Sequence, residues 1–149
     1  MRKILESRKL LGATAGMSLQ ELSGLYKSLM KAHHPDKFID AAEKTAAEAY
    51  SKELIDAYHF LVSIAPETHA QQAEEYTATT NSGVILDWQY KAQTLQLNYS
   101  DGSTYEYFNV PANVYNKFVN NQGNLRFARR HICTSFTRRR VKKADPVAV

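Results

Sequence analysis

The sequence predicts two small domains: an all-α helical hairpin over residues 1–75 and an α+β antiparallel meander with helices over residues 82–140. Three observations point there. In the first half, apolar residues recur at i, i+3, i+4 and i+7, the period of one helix face. From Val84 onward they alternate with polar residues instead, the period of a half-buried strand. The charge divides at the same place. Residues 1–75 carry nine basic and eleven acidic side chains, a net of −2, and residues 76–149 carry ten and four, a net of +6. Small, polar, turn-forming residues from Thr77 to Gly83 mark residues 76–83 as an expected linker. The second domain is then expected over 84–137, followed by a basic, flexible tail over 138–149.

Composition narrows the functional classes. With 44% hydrophobic and 23% charged residues, the chain reads as an ordinary soluble globular one. No apolar run approaches the roughly 20 residues that span a bilayer, and Met1–Leu11 lacks the apolar centre of a secretory signal. Cys133 is the single cysteine, so no intramolecular disulfide can form and a reducing compartment is expected. The expectation is a cytoplasmic protein with no membrane partner.

The elements follow in order. A short helix near Arg2–Leu11 ends at Gly12. Ser18-Leu19-Gln20-Glu21 fits a capping box, in which the Ser hydroxyl and the Glu carboxylate satisfy N–H groups left free at a helix start. Leu22, Leu25, Tyr26 and Leu29 then trace one helical stripe, with Lys27 and Lys31 on another face. Pro35 stops this helix, because proline has no N–H and disfavours helical geometry in the residue before it. Tyr50, Leu54, Ala57, Tyr58 and Leu61 trace the next stripe. Two amphipathic helices joined by about ten residues form an antiparallel hairpin.

His33-His34-Pro35-Asp36-Lys37 lies at the tip of that hairpin, and here the sequence resembles the J domain of DnaJ-type co-chaperones. Leu11-Gly12 stands where the family has Leu-Gly, and Tyr26-Lys27 and Leu29 precede His34-Pro35-Asp36 at the family's intervals. Lys52-Glu53-Leu54, Ala57-Tyr58 and Leu61 continue the pattern, so the resemblance covers about residues 2–65. Ser51 replaces a usual Phe, Ser28 replaces a frequent basic residue, and Glu67–Tyr76 contains no Lys or Arg where a short basic helix is usual. The resemblance implies a non-enzymatic module that docks on a DnaK-type ATPase chaperone and stimulates its ATPase. The implied contact residues are His34, Pro35, Asp36 and Lys37, with Tyr26, Lys27 and Lys31. A plainer reading also fits the tripeptide: His34 and Asp36 cap two helix ends around a proline turn.

In the second half, Val84, Leu86, Trp88 and Tyr90 suggest one strand and Leu95, Leu97 and Tyr99 a second. Ser100-Asp101-Gly102-Ser103 reads as a hairpin turn. Thr104–Val110 is the third strand, with Tyr105 and Tyr107 on one face. Pro111 suits a helix start, followed by Val114, Tyr115, Phe118 and Val119 at helical spacing. Leu125–Phe136 is expected as a last helix with Arg126, Arg129 and Arg130 outward. This half resembles the KTSC domain over about residues 82–136, through Leu95, Leu97, Asp101–Tyr107, Phe108-Asn109-Val110-Pro111, Val114-Tyr115 and His131-Ile132.

Arg126 to Lys143 holds eight basic residues and no acid. Cations neutralise phosphates and aromatic faces stack unpaired bases, so RNA or another polyanion is a candidate partner. The candidate contacts are Arg126, Arg129, Arg130, Arg138, Arg139 and Arg140, with Tyr105 and Tyr107. The alternatives are a solvated tail and two core tyrosines. His131-x-Cys133 is too sparse for a zinc site, and no phosphate loop or nucleophile–base pair appears, so neither metal, cofactor nor enzyme activity is expected. The leading expectation is therefore a J-domain co-chaperone whose KTSC module targets it or binds client or nucleic acid. The alternative is a nucleic-acid- or ribosome-binding adaptor in which the J-like part is a scaffold.

Overall fold

The computed structural model describes residues 2–145. The chain divides into two compact units with the boundary between Gln71 and Gln72.

The first unit begins with α1 (Arg2–Leu11) and α2 (Leu19–His33). Both halves of the capping box form at Ser18: its hydroxyl accepts the Glu21 N–H at 3.1 Å, and Glu21 reaches back to the Ser18 N–H. Glu67 accepts the Leu19 N–H at 3.1 Å, placing a carboxylate at the positive end of the helix dipole. A 3-10 turn over Pro35–Lys37 leads into α3 (Ala41–Ile64). Tyr26 stacks flat on Tyr58 at 4.3 Å, and His33 meets Tyr50 edge-on at 5.0 Å. As α2 advances α3 retreats, which makes the pair antiparallel. Ile4, Leu11, Leu22, Leu54, Phe60, Leu61 and Ile64 form the buried interior. Leu54 is wholly buried, a contribution of about 1.5–3 kcal/mol for one such side chain. Ser51 is buried too, and its hydroxyl has no hydrogen-bond partner among the described residues.

Helix α4 spans Pro66–Ser82, and here an expectation is corrected. Thr77–Ser82 is helix, not linker. Tyr76, Thr79 and Thr80 sit at i, i+3 and i+4 and are buried, so one face of this stretch is packed rather than solvated.

The second unit is a four-stranded antiparallel sheet in the order β1-β2-β3-β4, made of β1 (Ile85–Lys91), β2 (Thr94–Tyr99), β3 (Thr104–Tyr107) and β4 (Arg138–Lys142). Helices α5 (Ala112–Asn120) and α6 (Leu125–His131) lie between β3 and β4 in sequence. Leu95, Leu97, Tyr99, Tyr105 and Tyr107 line the core face of the sheet with Val110, Phe118, Ala128 and Ile132. Asp101–Gly102 makes the expected hairpin turn: Gly102 has φ 87°, and Asp101 accepts the Ser103 N–H at 2.9 Å. Burial raises the Asp101 carboxyl's pKa, but hydrogen bonds from Ser103 and Thr79 outweigh that and hold it below the ordinary carboxylate range.

Four further expectations change. Val84 and Leu86 are exposed, because a bulge between Ile85 and Asp87 shifts the alternation, leaving Ile85, Trp88 and Tyr90 to pack on the core. The third strand ends at Tyr107, since Asn109 turns to φ 62°. Helix α6 stops at His131, where the Cys133 N–H bonds back to Ala128 O at 2.8 Å and leaves the helical ladder. The expected flexible tail contains β4, whose Arg138 and Arg140 sit opposite Tyr107 and Tyr105 in register. Pro146–Val149, the end of that tail, lie outside the described residues. Among the described residues no helix is long and apolar enough to cross a membrane.

Candidate functional site

The loop that joins α2 to α3 is built by proline. His34, preceding Pro35, is forced into an extended conformation (φ −62°, ψ 136°), which ends α2. Pro35 supplies the first position of the 3-10 turn, where no N–H is needed. Lys37 N–H to His34 O (3.0 Å) and Phe38 N–H to Pro35 O (3.1 Å) close it. His34 Nδ1 accepts the Asp36 N–H at 3.1 Å, so His34 does cap the turn as the plainer reading holds.

That capping bond also decides the remaining chemistry. Nδ1 lies 3.5 Å from the Asp36 carboxylate, but a nitrogen that accepts the Asp36 N–H carries no proton to donate there. The shorter, directed bond prevails. Nε2 then holds the ring proton and is free to donate outward. Asp36, with a side chain 82% exposed, keeps its carboxylate open to a partner's donors. Both groups stand on a turn held by its own backbone.

Lys27, Lys31 and Lys37 are exposed, and none joins an ion pair among the described residues. Lys27 and Lys31 are one helical turn apart on α2. Tyr26 has a place inside the hairpin. It is half-buried against Tyr58 and braces α2 on α3. Beside the loop lies a recess of about 330 Å³ lined by His33, Phe38, Glu43, Ala46, Ala47 and Tyr50, and Ile39, next along the chain, is fully exposed. Phe38 and Ile39 lie on the loop, where no periodicity marks them in the sequence.

The basic run of the second unit is rearranged by its structure. Tyr105 and Tyr107 are buried and pack in the core, which leaves no face for a base. Arg139 pairs with Glu106 at 2.9 Å and Arg140 with Glu75 at 2.8 Å. Arg138 lies over the Tyr76 ring at 3.9 Å. Arg129 turns to Thr80 O and Asn81 Oδ1 at 3.3 and 3.4 Å. Four of the six expected arginine contacts are thus engaged within the unit. Arg126 and Arg130 remain exposed on α6 without an ion-pair partner among the described residues. Phe127 lies between them in sequence and His131 directly follows Arg130, and the two rings lie 4.6 Å apart.

The first unit thus presents an exposed proline-braced turn at the end of a helical hairpin, and the second is an antiparallel sheet domain. Residues 81–136 match the KTSC domain, so this part of the second unit is a KTSC domain. The chain is 32% identical over 73 residues to the DnaJ protein homolog XDJ1 of Saccharomyces cerevisiae, covering 49% of this chain and 16% of that protein. The chain therefore corresponds to less than a fifth of that relative's length. No solved structure matches it.

Proposed function

We propose that the first unit is a J domain that docks on a DnaK-type chaperone and stimulates its ATPase, without being an enzyme itself. The carrying observation is the His34-Pro35-Asp36 turn, with the His34 ring held through Nδ1 and both the His34 and Asp36 side chains exposed. Lys27, Lys31 and Lys37 add a cationic approach suited to an acidic partner surface, which speeds encounter and fixes orientation. The partial identity to a DnaJ homologue supports this reading. Docking that favours one conformation of the partner over another is sufficient to move its equilibrium, and no chemistry by this chain is required. The KTSC domain, in this proposal, supplies targeting or client binding, and the protein acts in the cytoplasm.

A single-turnover ATPase assay with DnaK tests the proposal. His34→Gln and Asp36→Asn are the informative variants, because Asp36 makes no structural hydrogen bond through its carboxylate. The expected outcome is a stability change under about 0.5 kcal/mol for Asp36→Asn. Stimulation should fall by about 30-fold, the effect of losing a hot spot worth roughly 2 kcal/mol. Full stimulation by both variants, or none by the unmodified protein, overturns the assignment.

A further inference from the structure

We propose that the exposed side of α6, formed by Arg126 and Arg130 beside Phe127 and His131, is a docking strip for single-stranded nucleic acid. Phosphates would meet the two guanidinium groups and an unpaired base would stack on His131. The proposal is independent of the co-chaperone reading.

Charge supplies the first argument. The described part of the second unit carries ten basic and six acidic side chains. The acids Glu75, Glu106 and Asp145 are taken up by Arg140, Arg139 and Lys142 on β4. None is engaged by α6, which has three arginines and no acid of its own. The positive potential of the run is therefore concentrated on the helix, not on the strand that carries half of its charges.

Geometry supplies the second. Residues advance about 100° around a helix, so Arg126 and Arg130 stand about 40° apart, and Phe127 and His131 form an equal pair about 100° further round. Ala128 and Ile132, wholly buried, fix which side of the helix faces the core. Asn124 caps the helix start by accepting the Arg126 N–H at 2.7 Å. Phe127 is half-buried against Phe118 at 6.4 Å and carries the His131 ring at 4.6 Å, tilted by 40°. His131 is thus an exposed ring already seated on a second ring.

The juxtaposition selects the occupant. An acidic peptide needs only the cations and gains nothing from the aromatic pair. A single strand uses both, since every base has a π face and every linkage a phosphate. Duplex nucleic acid keeps its bases stacked inside and could not use His131.

Fluorescence anisotropy of a labelled oligouridylate, titrated with the full chain over a range of salt, reads both terms. The expected result is a linear fall of log affinity with log salt. Arg126→Ala/Arg130→Ala should flatten its slope by about 1.4, at roughly 0.7 per phosphate contact. His131→Ala should leave the slope unchanged and weaken binding about five- to one-hundred-fold, as loss of one stacked base does. Near-ultraviolet circular dichroism of each variant confirms that the exposed substitutions leave the fold in place. Absence of binding at low ionic strength overturns the proposal. So does a slope that responds to Lys27→Ala/Lys31→Ala but not to the arginine pair. Equal competition by polyglutamate, together with indifference to His131→Ala, assigns the strip to an acidic peptide and overturns it as well.

Discussion

Cys133 is both the first donor and the last acceptor in a closed circuit of buried hydrogen bonds. Tyr76 donates to Cys133 O at 2.7 Å, which commits its only proton. Its oxygen must then accept from Tyr107 at 2.9 Å, and Tyr107 in turn accepts from Tyr99 at 2.7 Å. The Cys133 thiol, 3.6 Å from Tyr99 Oη, completes the ring. Each phenol has one proton, and that of Tyr107 also lies within 3.8 Å of the Cys133 sulfur, so the three rings and the cysteine specify one another's positions. Burial raises the pKa of Tyr76, Tyr99 and Tyr107 above the ordinary phenol value of 10.0, and mutual proximity adds to it. The folded values exceed the unfolded one, so this stabilisation is complete below about pH 10 and declines as pH rises beyond it. The expected outcome is that these three phenols ionise only as the second unit unfolds in alkali, followed by tyrosine-selective NMR. Ionisation near pH 10 with the sheet intact would contradict the ring. Tyr107→Phe, which removes the middle member, should cost about 1–3 kcal/mol by leaving its neighbours' polar atoms underused.

Elements were legible where a single physical signal governs them. The capping box and stripe of α2, the antiparallel partner α3, and the Asp101–Gly102 hairpin all follow from local residue chemistry, as does the placement of the His34-Pro35-Asp36 turn. Elements held by distant contacts were not. Thr77–Ser82 has poor intrinsic helix preference, and it is held as helix by Tyr76 in the second unit's core, the Thr79 bond to Asp101 and the burial of Thr80. Strand β4 has no apolar alternation; its period lies in where the charges go, with Arg139 opposite Glu106 and Arg138 and Arg140 reaching the Tyr76 ring and Glu75. The turn between β1 and β2 was silent for another reason. Ala92 and Gln93 both hold positive φ, 50° and 61°, without the Asn or Gly such a two-residue turn favours. A left-handed non-glycine residue costs roughly 1–2 kcal/mol. Ala92→Asn/Gln93→Gly is therefore expected to stabilise the second unit by about 1 kcal/mol in urea unfolding. Destabilisation would mean that contacts of the Gln93 side chain outweigh the backbone strain.

At the scale of the whole chain, the question is where the second folding unit begins. The KTSC match starts at residue 81, and the composition shift suggested much the same place. The packing begins earlier. Tyr76 closes the tyrosine ring, Thr79 donates to Asp101 at 2.6 Å, Arg140 pairs with Glu75, and Arg129 reaches Thr80 O. These contacts tie the last turns of α4 to β3, β4, α6 and the hairpin tip, so they act on most of the sheet domain at once. Deleting a buried aromatic side chain alone costs about 3–5 kcal/mol, against a total stability of roughly 5–15 kcal/mol for a domain. A fragment of residues 72–149 is therefore expected to unfold cooperatively by circular dichroism. One of residues 82–149, which keeps the entire charge run but loses these helical turns, should lack most of that stability. The β4 cations provide an independent readout, because Arg138 and Arg140 lose the Tyr76 ring and Glu75 in the shorter fragment. Amide exchange of β4 should accelerate there even if β2 and β3 stay protected. Equal stability of the two fragments would return the boundary to residue 82 and reduce the end of α4 to a passive connection.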